Sequence, residues 1–303
     1  MSDLDATAGD ASVDRVAYPF RSRWHTLAEG RMHYVDEGAG EPILFVHGTP
    51  TWSFEWRHLI RALSPSCRCV APDLIGFGLS DRPKGFGYTP EAHSRALAEF
   101  VETMQLGSFT LVVHDYGGPI ALPLALRRPG IVRRLVLINT WMWSFTGDRE
   151  MERAGRLGGG AIGQFLYRWV NFSLRVLMPS AYGDRSKLTR EIHRQYLDRF
   201  PDRDSRGRVL WPLAHAILGS TRYYDALSVE AVRLRETPTL IVWGMRDRAF
   251  RPNQLARWKT IVPHAQVVEL ANVGHWPHEE APDRVIEALR AFLGTRQTQR
   301  APA

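Results

Sequence analysis

Cysteine is nearly absent: Cys67 and Cys69 are the only two in 303 residues, too few for a disulfide framework or a zinc ribbon. They stand two apart on an apparent strand, so they share a face, and their scarcity suits a reducing cytoplasm. No apolar run approaches the roughly 20 residues that cross a bilayer, which removes membrane spans and leaves no membrane partner. Met1 to Val13 have neither a basic start nor an apolar segment, so a secretory signal is not expected. Charge of one sign is not concentrated either. The formal net charge is +7, but pairs such as Arg127-Arg128 and Arg133-Arg134 fall at helix ends and turns, where cations complement carbonyl dipoles. A nucleic-acid surface would gather such charges on one element with interleaved aromatics, so no nucleic-acid partner is expected. Internal repeats are missing. Gly158-Gly159-Gly160 has no Lys-Ser or Lys-Thr at phosphate-loop spacing and reads as a flexible joint. His275 and His278 lack the His-Glu-x-x-His spacing of a zinc helix. Neither metal nor organic cofactor is expected.

What is present describes an ordinary globular chain, 44% hydrophobic and 23% charged, large enough for one sizeable core. Short apolar runs alternate with amphipathic stretches. Ile43 to Val46, Cys67 to Ala71, Leu111 to Val113, Arg134 to Asn139, Thr239 to Trp243 and Gln266 to Leu270 read as strands. Trp52 to Leu63, Thr89 to Met104, Ile120 to Leu126 and Asp283 to Leu293 read as helices. That alternation predicts an α/β fold with a mostly parallel sheet covered on both faces. From Trp141 no convincing strand follows for about 90 residues, which is too long for a loop and implies an inserted helical cap rich in aromatics. The expected layout is therefore a core of residues 17–140 and 233–296, a cap of 141–232, and disordered tails at 1–16 and 297–303.

One stretch organises the rest. Leu111-Val-Val-His-Asp115-Tyr-Gly-Gly-Pro-Ile120 runs from strand through a tight glycine turn into a helix, the pattern of a nucleophile elbow, with aspartate where other elbows carry serine. A carboxylate is already ionised at neutral pH, so it attacks without a base and becomes an ester. A strand end is also an ordinary place for a helix-capping Asp, and context decides between the two. Asp247 and His275 also follow predicted strands, giving the order nucleophile, acid, base. After Val46, His47-Gly48-Thr49-Pro50 forms a turn able to aim a backbone N–H at a reacting oxygen.

Five segments carry a resemblance: His47-Gly-Thr-Pro-Thr-Trp-Ser-Phe-Glu-Trp-Arg57, Gly76-Phe-Gly-Leu-Ser-Asp-Arg-Pro83, His114-Asp-Tyr-Gly-Gly-Pro119, Trp243-Gly-Met-Arg-Asp247 and Gly274-His275. From about Arg31 to Leu293 the chain resembles the α/β-hydrolase superfamily, and within it the haloalkane dehalogenases; aspartate-nucleophile epoxide hydrolases share three of the segments. The resemblance implies Asp115 as nucleophile, His275 as base and Asp247 as the carboxylate that orients it. Asn139 stands where some relatives place that carboxylate and is no anion. Two departures stand out. Similar dehalogenases hold the leaving halide with a tryptophan after the nucleophile and often an asparagine after the His-Gly pair, where this chain has Tyr116 and Thr49. Trp169 is a cap candidate for the missing donor.

The expected activity is hydrolysis of a small apolar organic substrate by water through an aspartyl ester, most naturally a carbon–halogen bond, in a monomer or homodimer. An epoxide hydrolase would need cap tyrosines, Tyr167, Tyr182 or Tyr196, aimed at Asp115. A β-lactone-opening enzyme and a non-catalytic ligand receptor on the same fold are the remaining readings.

Overall fold

The computed structural model describes residues 12–294. Eight strands form one sheet: β1 (Arg23–Leu27), β2 (Gly30–Glu37), β3 (Glu41–Val46), β4 (Cys67–Pro72), β5 (Phe109–Asp115), β6 (Val132–Thr140), β7 (Thr239–Gly244) and β8 (Gln266–Leu270). Their order is β1-β2-β4-β3-β5-β6-β7-β8. β1 with β2 and β2 with β4 are antiparallel, and the other pairs are parallel. The central strands β5 and β7 are buried at every residue, which is why they read as unbroken apolar runs instead of alternating ones. The chain steps from β3 outward to β4 and then returns to the opposite side of β3 as β5. That reversal opens a crevice at the carboxyl ends of β3 and β5, the position at which such sheets hold ligands.

Helices α1 (Arg57–Leu63), α2 (Pro90–Thr103) and α3 (Gly117–Arg127) connect the first strands. Thr89 caps α2, accepting from the Ala92 N–H, with Pro90 in the first turn, as its sequence suggested. Trp52 to Leu63 is not one helix, because Ser53–Trp56 winds as a tighter 3₁₀ turn before α1. The Ser53 N–H donates to the buried Asp73 carboxylate at 2.8 Å, so a side chain outside the helix satisfies a free N-terminal donor.

Between β6 and β7 only helical segments occur among the described residues: α4 (Arg149–Gly159), α5 (Ala161–Phe165), α6 (Met178–Ala181), α7 (Arg190–Leu197), α8 (Arg203–Ser205), α9 (Trp211–Gly219) and α10 (Thr221–Glu230), with wider π turns at Leu166–Val170, Ser173–Leu177 and Arg206–Leu210. The three-glycine run is more than a joint. It ends α4 and starts α5, and a Cβ on Gly159 would come within 2.9 Å of the His215 Cα, so the glycine lets α4 lie close against α9. After β7 come α11 (Pro252–Ile261), α12 (Pro277–Glu280) and α13 (Pro282–Leu293).

Of the tail expected at 1–16, residues 12–16 are placed in the structure. Val13 is buried, and the Asp14 N–H donates to Gln195 Oε1 of α7 at 3.1 Å, so residues 12–16 are tied to the cap despite their polar composition. Residues 1–11 and 295–303, including the second predicted tail, lie outside the described residues.

A buried ion pair within the core is tied to the cap by a tyrosine. Arg57 of α1 forks onto Glu279 of α12, and the Tyr196 hydroxyl of α7 donates to the same carboxylate at 2.6 Å. Burial raises the Glu279 pKa, but the guanidinium and the two sets of hydrogen bonds outweigh it and hold the carboxyl below its usual range. Truncation would leave a buried cation without its anion. Glu279→Ala is therefore expected to cost about 3–5 kcal/mol, read from the urea unfolding midpoint; a change within 1 kcal/mol, small for such a loss, would contradict this account.

Candidate active site

Asp115 ends β5 on the crevice, with φ +49°, the left-handed region that a non-glycine residue enters only when its surroundings enforce it. The enforcement is visible. Thr140 Oγ1 donates to the Asp115 carbonyl at 2.5 Å. Beneath the turn, a Cβ on Gly117 would lie 2.1 Å from the Val46 carbonyl oxygen, so only glycine allows β5 and α3 to approach β3 this closely. Across the crevice, a Cβ on Gly48 would lie 2.2 Å from Asp115 Oδ1. The absence of a side chain there lets the next residue, Thr49, point its backbone N–H at that oxygen, 2.8 Å away.

His275 follows β8 and presents its two ring nitrogens to two carboxylates. Nε2 lies 3.5 Å from Asp115 Oδ2, and Nδ1 lies 2.7 Å from Asp247 Oδ2. The His275 N–H is held by the Ala181 carbonyl at 2.9 Å, so the cap helps to fix the imidazole. Asp247 is fully packed. Besides His275 it receives Asn139 Nδ2 at 2.8 Å on Oδ2, and the Ala249 and Phe250 N–H groups at 2.7 and 3.1 Å on Oδ1. Burial alone would raise the Asp247 pKa; His275 and the backbone donors reverse this and lower it.

Burial likewise opposes a charge on His275, yet Asp247 and Asp115 together hold its pKa up at about 10. Raised above the ordinary value of roughly 6.5, this group stabilises the fold fully at pH below the unfolded value and loses that contribution as pH rises through about 10. The wild-type melting temperature is thus expected to fall from pH 7 to pH 10.5 by more than that of His275→Phe. Parallel curves would refute it.

The candidate leaving-group donors are placed differently from one another. Thr49 stands beside the nucleophile, and its buried Oγ1 has no hydrogen-bond partner. Tyr116 follows the nucleophile, but its hydroxyl donates to the Leu213 carbonyl of α9 and its ring packs edge-on against Trp141. Burial and that acceptor commit the phenol of Tyr116, a candidate beside the leaving group, to holding the cap. Trp169 is 49% exposed, with the Arg203 guanidinium 4.0 Å from its ring and Phe165 stacked beside it. Its indole thus lies at the surface between Arg203 and Phe165, and the polar contacts of Asp115 are made by Thr49, Thr140 and His275 instead.

Of the cap tyrosines, Tyr196 is bound to Glu279 and Tyr182 stacks on Trp276. Tyr167 differs. It is buried, and its pKa is pushed up to about 12, chiefly by burial, with the Asp115 charge adding to it against a hydrogen bond with Ser173. Two further residues complete the site, one weighed in the sequence only as a non-anion and one without a signal there. Asn139, with φ +31°, fixes Asp247 by one amide that donates to it and also exchanges bonds with Gly244 at 2.8 and 3.1 Å. A polar residue closing an apolar strand was its signal. Glu55, buried behind the nucleophile's strand, had none, since the surrounding Phe54 and Trp56 make it look like the outer face of a helix.

Comparison with known proteins places the chain in a family. Residues 41–282 match the family described as alpha/beta hydrolase fold. Haloalkane dehalogenase 2 of Mycobacterium tuberculosis is 39% identical over 94% of this chain and 99% of its own length. A cis-3-alkyl-4-alkyloxetan-2-one decarboxylase of Shewanella oneidensis is 33% identical over 92% of this chain and 90% of its own. The crystal structure of the haloalkane dehalogenase DatA from Agrobacterium tumefaciens superimposes with a TM-score of 0.81 at 27% identity, covering 90% of this chain and 96% of that one. With its eight-stranded sheet and helical insertion, the chain belongs to the α/β-hydrolase family and, within it, is a haloalkane dehalogenase-like hydrolase.

Proposed function

We propose that this protein hydrolyses a bond between a saturated carbon and a halide through an ester on Asp115. The observation that carries the reading is the carboxylate itself: Oδ1 is held by the Thr49 N–H, while Oδ2 faces His275 and is the oxygen free to attack. Attack forms the carbon–oxygen bond as the carbon–halogen bond breaks and the halide departs with the electron pair. The Asp115 charge vanishes in that step, and with it the charge and hydrogen bond that helped to hold His275 protonated. The imidazole pKa falls, and neutral His275 takes a proton from water attacking the ester carbonyl. Asp247 stabilises the resulting imidazolium, and the Thr49 and Tyr116 backbone N–H groups receive the developing oxyanion. Collapse restores the carboxylate and releases the alcohol.

The unpartnered Thr49 Oγ1 is the side-chain donor we assign to the departing halide. The substrate is small and apolar, and no helix among the described residues is long and apolar enough to cross a membrane. The buried free thiols Cys67 and Cys69 support a cytoplasmic setting. A second reading, epoxide hydrolysis, is favoured by one observation, the Asp115 field at the Tyr167 hydroxyl; a phenol there would protonate the alkoxide.

The test is a panel of bromoalkanes, styrene-oxide-type epoxides and β-lactones, followed for proton, diol and olefin release. Bromide release is expected, and Thr49→Val, which keeps the backbone N–H, should lower it by about tenfold, the value of one lost bond to a charged group. Turnover of epoxides or lactones alone, with Thr49→Val unimpaired, would overturn the halide reading.

A further inference from the structure

Behind the nucleophile lies a group of buried side chains that the mechanism does not use. Glu55, His114 and His278 are all fully buried, and they come from three elements: the 3₁₀ turn after Thr49, β5 one residue before Asp115, and α12 three residues after His275. His114 Nδ1 is 3.4 Å and His278 Nε2 is 3.8 Å from Glu55 Oε1. On its other side, His114 Nε2 donates to the His275 carbonyl at 2.8 Å. Both Glu55 oxygens, His114 Nδ1 and both His278 nitrogens lack a close hydrogen-bond partner, a costly state for polar atoms with no access to water.

The protons can be counted. The His275 carbonyl only accepts, so His114 Nε2 carries hydrogen. If Nδ1 were bare, a lone pair would face a carboxylate in a dry site. The group closes when Nδ1 is protonated as well, making His114 a cation against the Glu55 anion, with neutral His278 turning its Nε2–H toward the same carboxylate from 3.8 Å. The other charged or titratable groups around His114 are His47 from the turn after β3, and His275 and Asp115 in the catalytic site itself; Glu279 beside His278 is already taken by Arg57. Opposed first by burial, the Glu55 pKa is nevertheless lowered, with the His114 charge as its largest support.

We propose that Glu55 is a positioning residue: it holds His114 as an imidazolium whose Nε2–H clamps the His275 backbone, and so sets the base against the ester. This rests on the reading of His275 as base. The cluster's hydrogen bond to a reacting residue runs to the His275 backbone, while the Thr49 N–H holds Asp115 Oδ1 independently, so its effect belongs to the hydrolytic step and not to the attack of Asp115.

The first experiment is ¹⁵N NMR of the histidine rings in the wild-type protein at pH 7. Both His114 nitrogens should carry protons, and Glu55→Gln should lose the one on Nδ1. In rapid-quench assays with a bromoalkane, Glu55→Gln should form the Asp115 adduct at a rate within about twofold of wild type and hydrolyse it about tenfold more slowly, the scale of losing a partner that orients a catalytic group. His278→Gln, which keeps a donor toward Glu55, should behave as wild type, while His278→Leu should slow hydrolysis, so the proposal remains testable if Glu55→Gln fails to fold. A neutral His114 in the wild type, equal slowing of both steps, or stoichiometric zinc in the purified protein that Glu55→Gln releases would each overturn the proposal. Absence of any Asp115 adduct in the wild type, with the NMR result intact, would instead overturn the reading of the reaction.

Discussion

His275→Phe is expected to halt the protein halfway, with the organic group of a bromoalkane retained as a mass adduct on the peptide containing Asp115. The carboxylate attacks unaided, because its ionisation needs no base and Thr49 still holds Oδ1 at 2.8 Å. Hydrolysis of the ester has no such independence, since a water must lose its proton as it attacks. One stoichiometric burst of bromide is expected, then a rate lower by at least about 10⁴, the scale on which triad members act. Asp115→Ala should show neither burst nor adduct. Intact-mass spectrometry after incubation decides the matter, and sustained turnover by the His275 variant would falsify the mechanism.

Asp247→Asn should have the next largest effect, and the hydrogen bonds show why. Four donors converge on this carboxylate: His275 and Asn139 on one oxygen, Ala249 and Phe250 on the other. An asparagine has only one acceptor oxygen, so its amide nitrogen must face a pair of donors whichever way it turns. If the amide faces the backbone, the Ala249–Phe250 turn is forced open; if it faces His275, the imidazole takes the wrong tautomer. A loss in turnover of about 10² or more is expected, together with about 1–3 kcal/mol of stability for the unsatisfied buried groups. The two kinds of damage can be separated. Asp247 is the largest support for the raised His275 pKa, so the ester-hydrolysis rate of the variant should respond to pH at lower values than in the wild type. A variant with wild-type rates from about pH 6.5 to about pH 10, the window between the ordinary and the raised histidine values, would exclude Asp247 as the orienting acid.

The legible part of this protein is what local pattern and spacing encode. Central strands are apolar throughout because both faces are covered, and the run Leu111 to Val113 breaking at Asp115-Tyr-Gly-Gly could be recognised as a strand meeting a sharp turn. Asp247 and His275 were legible for the same reason, each being a chemically able residue in the loop that follows a strand. With Asn139 as the rival, the structure has it donate its amide to Asp247, holding the acid that the sequence had preferred.

Side-chain direction was not legible where a distant element chooses it. Tyr116 and Trp169 looked available as donors, but the first is claimed by a carbonyl of α9 nearly 100 residues away, and the second is turned outward with Arg203 against its ring. The polar stretch 12–16 resembled a loose tail because the glutamine that anchors it lies in α7. Glu55 and His114 had no pattern to betray them: one sits between aromatics, the other one residue before the nucleophile, and only the packing of a 3₁₀ turn, β5 and α12 brings them together. The sequence by itself determined the fold and the order in which Asp115, Asp247 and His275, the groups proposed to react, follow their strands, since periodicity and turn chemistry are local. Which oxygen of Asp115 is free, which donors remain unclaimed beside it and what stands behind the base were decided by tertiary structure alone, because hydrogen bonds in a dry interior are assigned by whichever partner the folded chain brings within about 3 Å.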